Sequence, residues 1–272
     1  MPKPKDIATD NGAPMIPEQR REQILRQLRK HQVLSVHQLM DMFDCSHMTV
    51  RRDIALLEQE GRAYSVTGGV RIASQLHSEP SHQSKAVIEL PQKQAMAKLA
   101  ARLLRPDMTV YLDAGTSTLE IVPYIKALSG MTVITNDFGV VQALMEAPQV
   151  TVIHTGGQLD HSNHSCVGGL AVTTLRQMVT DIAFMSTSSW DLRRGITTPS
   201  ALKVEVKQVA MQSASQVVLV ASSSKYGTFS MYRIAGLEQF DVIISDDALA
   251  PAAADGIRKQ GVELLLPEST PL

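Results

Sequence analysis

The order of elements between residues 17 and 72 constrains the fold more than any other feature of the chain. Pro17 suits the first turn of a helix, and Ser35 suits the cap of a second one. A tight turn is expected at residues 44–45, and a third helix at residues 46–60, where a glycine follows and ends it. The sequence therefore predicts three helices, of which the last two are joined by a short turn.

A short β-hairpin is predicted directly after the third helix, beginning at Arg62. Two runs with strand-forming side chains flank the stretch Thr67-Gly68-Gly69, which supplies the turn. Two helices across a short turn, followed by a small β wing, are typical of a winged helix-turn-helix. We therefore predict a domain that binds double-stranded DNA over residues 17–72, preceded by a disordered tail over residues 1–16.

The third helix has one apolar face and one basic face. At about 100° per residue, Val50, Ile54 and Leu57 share a buried stripe, and the arginines of the first turns lie away from it. The first turns of such a helix contact bases or phosphates in the major groove. The alternative is a solvated face on which the arginines pair with Asp53 or Glu58. The predicted DNA contacts are Ser46, His47, Met48, Thr49, Arg51 and Arg52 on the helix, with Arg62 and Tyr64 on the hairpin.

Charge is only weakly informative. Residues 17–72 carry nine Lys and Arg against seven Asp and Glu, about +2, whereas residues 73–272 carry fifteen against eighteen, about −3. The overall formal charge of −1 argues against a non-specific coat for nucleic acid. The placement of the arginines on one helix face is the stronger indication of DNA binding.

The remainder of the chain alternates short apolar runs with helical patterns. A polar stretch over residues 73–90 is predicted to be an interdomain linker, and residues 91–272 a second domain. Strands that are apolar on both faces and separated by helices are typical of a mainly parallel α/β sheet. The predicted strands are 109–112, 132–135, 150–154, 182–185, 216–221 and 242–245; the predicted helices include 91–104, 117–128, 138–146, 169–178 and 201–213.

Several polar or glycine-rich turns follow these strands. Asp113 to Thr118 comes after a strand and opens a helix, so its hydroxyl and N–H groups are placed to hold an anion. The stretches 135–136, 156–157 and 223–225 hold equivalent positions, and ligands of open α/β sheets bind at that edge. Lys207 and Lys225 are candidates for the positive charge, although Lys207 suits a solvated helix face almost equally well. We expect a pocket for a polyol anion.

Other classes of site and location are disfavoured. His154, His161, His164 and Cys166 match no standard zinc spacing, and we expect neither a metal nor a cofactor. Two distant cysteines favour a reducing cytoplasm, and no apolar run is long enough to span a membrane. Trp190 suits either the pocket wall or the core.

These motifs, taken in order, resemble the DeoR family of bacterial repressors over residues 17–247. The resemblance is carried by Ser-His-Met-Thr-Val-Arg-Arg-Asp-Ile from Ser46, then Leu-Asp-Ala-Gly-Thr-Ser-Thr, Thr-Asn, His-Thr-Gly-Gly, Gly-Ile-Thr-Thr-Pro, Glu-Val-Lys and Ser-Ser-Lys-Tyr-Gly. It implies a second domain similar to ribose-5-phosphate isomerase, and repression of a catabolic operon that a sugar-phosphate-like or sugar-acid metabolite modulates. By motif, the effector residues are Asp113, Gly115, Thr116, Ser117, Thr118, Asn136, Gly157, Ser188, Lys207 and Lys225.

One position departs from the family pattern. Many members carry Gly-Ala-Asp-Gly or Gly-Thr-Asn-Gly where this chain has Ser-Thr-Ser-Ser over residues 186–189, so that Ser188 replaces an acid or amide. The departure indicates a ligand that differs from a simple sugar phosphate.

Two other functions are weighed against a ligand-responsive repressor. A sugar-phosphate isomerase with a DNA-binding appendage would need a carboxylate base, for which Asp113 and Glu205 are candidates, and an electrophile such as Lys225. A constitutive architectural protein would leave the second domain without a role. We therefore expect a regulator and not an enzyme, acting as a homo-oligomer because helix-turn-helix proteins usually bind paired half-sites of operator DNA.

Overall fold

Two domains are present in the computed structural model, which describes residues 15–268. The predicted tail over residues 1–16 lies almost wholly outside the described residues. The helices and strands of the first domain and the segment after it are α1 (Pro17–His31), β1 (Val33–Ser35), α2 (Val36–Phe43), α3 (His47–Gln59), β2 (Ala63–Val66), β3 (Gly69–Ile72), β4 (Ser74–Gln75) and α4 (His82–Val87).

The second domain contains the remaining elements. They are, in order, α5 (Leu90–Ala100), β5 (Thr109–Leu112), α6 (Thr116–Leu119), α7 (Val122–Lys126), β6 (Thr132–Thr135), α8 (Phe138–Leu144), β7 (Thr151–His154), β8 (Gln158–Asp160), β9 (Ser165–Val167), α9 (Gly169–Leu175), β10 (Thr180–Met185), β11 (Ser189–Asp191), β12 (Gly195–Thr198), α10 (Ala201–Gln212), β13 (Ala214–Val220), β14 (Thr228–Phe229), β15 (Tyr232–Ala235), β16 (Val242–Ile244), α11 (Pro251–Lys259) and β17 (Glu263–Leu265).

Local capping fixes the helices of the first domain. The Ser35 hydroxyl accepts the Gln38 N–H at 3.1 Å while the Gln38 side chain accepts the Ser35 N–H at 2.8 Å, a reciprocal capping box that starts α2. Asp44 has a positive φ of 43° and ends α2, and the Ser46 hydroxyl caps α3 by accepting the Thr49 N–H at 3.3 Å. The predicted tight turn between the two helices is therefore present.

The wing and the helices share one small core. Strands β1, β3 and β2 pair antiparallel in that order, with β2 and β3 joined through Thr67 and Gly68. Val50, Ile54 and Leu57 of α3 are buried against α1 and the wing, as the helical spacing predicts. The winged helix-turn-helix is thus confirmed.

A parallel sheet forms the centre of the second domain. Its seven strands run in the order β17-β16-β13-β10-β5-β6-β7, and every neighbouring pair is parallel. Successive side chains point to opposite faces, so Tyr111 and Met185 join one apolar core while Leu112 and Phe184 join the other. The predicted mainly parallel α/β class is confirmed. Because the seven strands are parallel, their carboxyl ends all lie at one edge of the sheet.

Three details differ from the sequence-based expectations. The predicted helix 117–128 is divided into α6 and α7, because Pro123 has no N–H with which to continue the first helix. The linker is not featureless: β4 pairs with β14 and α4 is capped by Ser81. Strands β11, β12 and β15 form an antiparallel sheet beside the main one.

Within residues 15–268, no helix has both the length and the apolar character that crossing a membrane requires.

Candidate functional site

The exposed side of α3 carries the side chains predicted to contact DNA. Met48 is 72% exposed, and Arg51 and Arg52 are exposed beside it. The Arg51 Nε donates to His47 Nε2 at 3.2 Å, and Thr49 is half-buried, with its hydroxyl 2.9 Å from the Ser46 hydroxyl. Arg52 forms no ion pair with any residue between 15 and 268, so its guanidinium is available to a phosphate or a guanine edge.

The alternative interpretation of α3, in which its exposed arginines pair with Asp53 or Glu58, does not agree with the structure. Asp53 is buried and pairs with Arg20, whose Nε lies 2.5 Å from its Oδ2. Glu58 is also buried and accepts hydrogen bonds from Ser65 at 2.7 Å and from Tyr226 at 2.8 Å. Neither carboxylate is therefore used to neutralise the two arginines of the exposed face.

The hairpin residues serve structural roles. Arg62 pairs with Glu22 at 2.8 Å and Glu60 at 3.5 Å and stays partly exposed. Tyr64 is fully buried, so the prediction that it touches the DNA backbone is wrong. Its ring packs edge-on against Tyr226, 5.3 Å between centroids, and its hydroxyl accepts from Arg194 at 3.2 Å. Alternation places Tyr64 on one face of the wing, and that face is covered by the second domain.

The two domains meet in a polar and aromatic contact centred on Tyr226. Its hydroxyl donates to Glu58 of α3, while its ring packs against Tyr64 and against Trp190, 5.0 Å away. The Trp190 indole N–H donates to the Ser222 carbonyl at 3.1 Å, so Trp190 belongs to the core and not to a pocket wall. Further contacts join Arg71 to the Ser224 carbonyl and Thr67 to the Ala248 carbonyl.

A pocket lies at the carboxyl ends of β5, β6 and β10, next to the wall formed by α10. This is the edge at which ligands of open parallel sheets bind. Eight of the predicted effector residues line it, namely Asp113, Gly115, Thr116, Ser117, Asn136, Ser188, Lys207 and Lys225.

Two predicted residues do not line the pocket. The Thr118 hydroxyl is fully buried and donates to the carbonyls of Asp113 and Gly115, which tightens the turn. Gly157 has a φ of 119°, and a Cβ there would lie 2.8 Å from the Val167 carbonyl. Both residues shape the loops around the pocket instead of facing into it.

The two predicted lysines differ in their partners. Lys207 is buried on α10 and its ammonium pairs with Asp113 and donates to the Ser186 carbonyl at 3.0 Å. Lys225 donates to the Thr187 carbonyl at 2.9 Å, and no carboxylate of residues 15–268 lies within ion-pairing distance of it. Burial, together with the nearby Lys85 and Lys93, lowers the pKa of Lys225 to about 8.

The sequence analysis missed a second pair of lysines. Lys203 of α10 and Lys85 of α4 both line the pocket, and both pair with Glu79 from the segment before α4. Asn163 completes the group by accepting from Lys85 at 2.6 Å. Lys203 lies four residues before Lys207, and this helical spacing is the one signal in the sequence that places both on one face.

The uncharged lining is rich in hydroxyl groups. The Ser117 hydroxyl is buried and has no hydrogen-bond partner within the described part of the chain.

Glu205, a candidate base for an isomerase, is absent from the lining and pairs with Arg176 on the surface at 2.8 Å. Asp113, the other candidate, is held by Lys207 and by the Ser186 N–H at 2.9 Å. In residues 15–268, no group of three or more metal-binding side chains comes together.

Comparisons with known proteins agree with this two-domain architecture. The sequence model of the DeoR-like helix-turn-helix domain matches residues 20–76, and that of the DeoR C-terminal sensor domain matches residues 88–247. The HTH-type transcriptional regulator YgbI of Escherichia coli K12, itself described as uncharacterized, is 42% identical over 93% of this chain and 98% of its own length.

Two further similarities are more distant. The putative aga operon transcriptional repressor of Escherichia coli O157:H7 is 32% identical over 91% of this chain and 93% of its own length. Among solved structures, ribose-5-phosphate isomerase A of Methanocaldococcus jannaschii is 15% identical, covering 49% of this chain and 53% of its own, with a TM-score of 0.36. That score is too low to inform the ligand or the activity.

Both domains thus match one family, and relatives that align along nearly their whole length are transcriptional regulators and not enzymes. The chain belongs to the DeoR family of transcriptional regulators.

Proposed function

We propose that this regulator is a repressor whose binding to operator DNA changes when a phosphorylated sugar or sugar acid enters the pocket. The observation that carries the proposal is the adjacency of Lys225 and Tyr226. Lys225 reaches into the pocket, and the next residue along the chain donates a hydrogen bond to Glu58 of α3. One short segment therefore touches both the ligand site and the helix proposed to contact DNA.

The pocket has the chemistry of a site for a hydroxylated anion. Lys225 offers an ammonium without a carboxylate partner, and Ser117 offers a buried hydroxyl without a partner among the described residues. A buried polar group without a partner is costly, so an anionic ligand that bonds to both is stabilised. Ser188 presents a neutral hydroxyl to the pocket, so this position carries no negative charge that would repel a carboxylate.

The coupling follows from the shared segment. A ligand that draws the Lys225 ammonium away from the Thr187 carbonyl displaces the backbone on which Tyr226 sits. Tyr226 is packed between Tyr64 and Trp190, so its displacement alters the contact with the wing and with α3. A ligand with different affinities for two domain arrangements shifts the population between them.

A mobility-shift titration tests the proposal. The full chain is used first to select an operator fragment from random DNA, and D-ribose 5-phosphate and D-ribonate 5-phosphate are then titrated into the complex. Lys225→Ala should retain operator binding and need about ten- to hundredfold more ligand to change it, because a charge-assisted hydrogen bond contributes roughly 1.5–3 kcal/mol. Lys259→Ala, on the exposed end of α11, is the control.

Two results would contradict the proposal. The first is a Lys225→Ala response equal to that of wild type. The second is loss of operator binding by Lys225→Ala together with an altered circular dichroism spectrum, which would assign the lysine to the fold.

A further inference from the structure

The carboxylate of Glu79 occupies part of the pocket described above. Glu79 belongs to the segment between β4 and α4, yet its side chain is only 9% exposed. Its two oxygens lie 3.0 Å from the Lys203 ammonium and 3.1 Å from the Lys85 ammonium. Lys203 is also within 3.3 Å of Asp160. A residue from the chain itself therefore binds the two lysines as an anionic ligand would.

The pocket leaves little room for a metabolite beside Glu79. The free space enclosed by the lining residues is about 30 Å³. This is far below the roughly 300–1,000 Å³ that pockets for small metabolites typically measure. A phosphorylated sugar therefore enters only if part of the lining moves outward.

The Glu79 segment is restrained less than the opposite wall of the pocket. The opposite wall consists of strand ends and α10, held by the Lys207–Asp113 pair and by Ser186. The segment is anchored by the Leu76 N–H to the Phe229 carbonyl at 2.7 Å and by the His82 N–H to the Ser162 carbonyl at 3.0 Å. Between these anchors, the backbone N–H groups of residues 77–79 and 81 bond to nothing in the described part of the chain, and Pro80 has no N–H to donate. Few backbone bonds favour local opening.

Opening by itself takes the Glu79 carboxylate away from both ammonium groups and leaves Lys203 with Asp160 alone as its counterion. Although burial alone would raise the pKa of Glu79, Lys203 and Lys85 lower it to about 2, so the carboxylate is ionised at neutral pH. Removing one partner from a buried ion pair is strongly unfavourable unless another anion replaces it. The segment therefore opens most readily when an incoming carboxylate takes over the contacts with both lysines.

We propose that Lys85 and Lys203 form a carboxylate subsite that Glu79 occupies, and that a sugar-acid effector displaces Glu79 and releases residues 76–82, while Lys85 stays in the pocket. The inference rests on the proposed function and narrows it to ligands that carry a carboxylate in addition to a phosphate. Release also affects the DNA-binding domain through β4. This strand begins two residues after the wing ends, pairs with β14, and ends four residues before Glu79.

Hydrogen exchange on the full-length wild-type protein tests the displacement directly. D-Ribonate 5-phosphate should increase amide exchange severalfold at Leu76 and His82, whose N–H groups anchor the segment, although ligands ordinarily protect the segments they touch. D-Ribitol 5-phosphate, which differs only in having an alcohol for the carboxylate, should bind at least tenfold more weakly. Protection of Leu76 and His82 by ribonate 5-phosphate, or equal affinity for the two compounds, would overturn the proposal.

The Glu79→Gln variant distinguishes a carboxylate that competes with the ligand from one that binds the ligand. Glu79→Gln should increase exchange at Leu76 and His82 without ligand and should lower the Kd for D-ribonate 5-phosphate about tenfold. Glu205→Gln, which removes a surface pair with Arg176, should change neither. A weaker affinity in Glu79→Gln would mean that Glu79 holds the ligand and would overturn the displacement. If neither compound bound any variant, the proposed function itself would fail, and the subsite with it.

Discussion

Lys225 is the residue on which the electrostatics of the pocket depend most. Lys207 pairs with Asp113, Lys85 pairs with Glu79, and Lys203 pairs with both Glu79 and Asp160. Lys225 alone of these four donates only to a carbonyl, that of Thr187. Burial and the neighbouring ammonium groups lower its pKa to about 8, close enough to neutrality that its charge changes within an accessible pH range.

The binding of a phosphate ester should therefore weaken as the pH rises through about 8. Below this pH, Lys225 is protonated and attracts the ligand, and above it, the free protein has lost that charge. The phosphate stays dianionic above its second pKa of about 6. Titration calorimetry with D-ribose 5-phosphate should show a roughly tenfold lower association constant at pH 9 than at pH 7. In Lys225→Met the association constant should be lower than in wild type and should change little with pH.

The same pH slope in Lys225→Met would assign the effect to other charged groups. The groups whose charges act on the pKa of Lys225 are Lys85 and Lys93, which lower it, and Glu79 and Glu89, which raise it.

Arg52 is the side chain of α3 for which the helical geometry makes the clearest prediction. It lies opposite the buried stripe and has no ion-pair partner among residues 15–268. Arg52→Ala should reduce specific operator affinity by about 1–3 kcal/mol without affecting the pocket. Competition mobility shifts measure this, with the exposed Arg26→Ala of α1 as the control. An operator affinity equal to that of wild type would remove Arg52 from the proposed interface.

At the scale of elements, the structure joins the ligand site to the DNA-binding domain by two routes. The segment 223–227 links the pocket to α3 through Tyr226, and the segment 74–88 links it to the wing through β4 and Glu79. Residues 223–227 contain no α-helix or strand, and neither do residues 76–81 between β4 and α4. Such segments open at a lower free energy than the sheet, as transmission between domains requires.

The hydrogen bond from Tyr226 to Glu58 should carry part of the coupling. Tyr226→Phe leaves a buried carboxylate with one donor fewer, a loss of about 1–3 kcal/mol. The ratio of operator affinities without and with D-ribonate 5-phosphate should fall about tenfold toward unity, while the ligand still binds in the pocket. Tyr232→Phe on the partly exposed β15 is the matched control. An unchanged ratio in Tyr226→Phe would exclude this route.

Sequence patterns predicted the elements that local chemistry determines. The caps at Ser35 and Ser46 and the stripe of Val50, Ile54 and Leu57 are set within a few residues of chain, so α2, α3 and the wing followed from the sequence. The turns at strand ends were also predictable, because the carboxyl ends of parallel strands meet at one edge.

The remaining features depend on contacts between residues that are distant in the sequence. Glu79 and Lys203 are 124 residues apart, and Tyr226 and Glu58 are 168 apart. Periodicity reports which face of an element is apolar, but not which other element covers that face. For this reason the burial of Tyr64 and the second pair of lysines escaped the sequence analysis.

For the molecule as a whole, the structure has the exposed α3 and the pocket in a single chain, joined by a packed contact between the domains. Helix-turn-helix proteins usually bind half-sites about 34–36 Å apart as symmetric oligomers, and homo-oligomerisation of this chain stays a prediction. We propose that, in the whole molecule, occupancy of the pocket by a ligand and occupancy of α3 by DNA are energetically linked.

The most direct test of this claim is the Kd of D-ribonate 5-phosphate measured twice, once with the free protein and once with the protein saturated by operator DNA. Linkage requires that the ligand and the DNA weaken each other by the same factor. For a repressor that the ligand releases, the account predicts a Kd about ten- to hundredfold higher in the presence of operator, and an equal factor in the operator affinity. The same Kd in both conditions would contradict it.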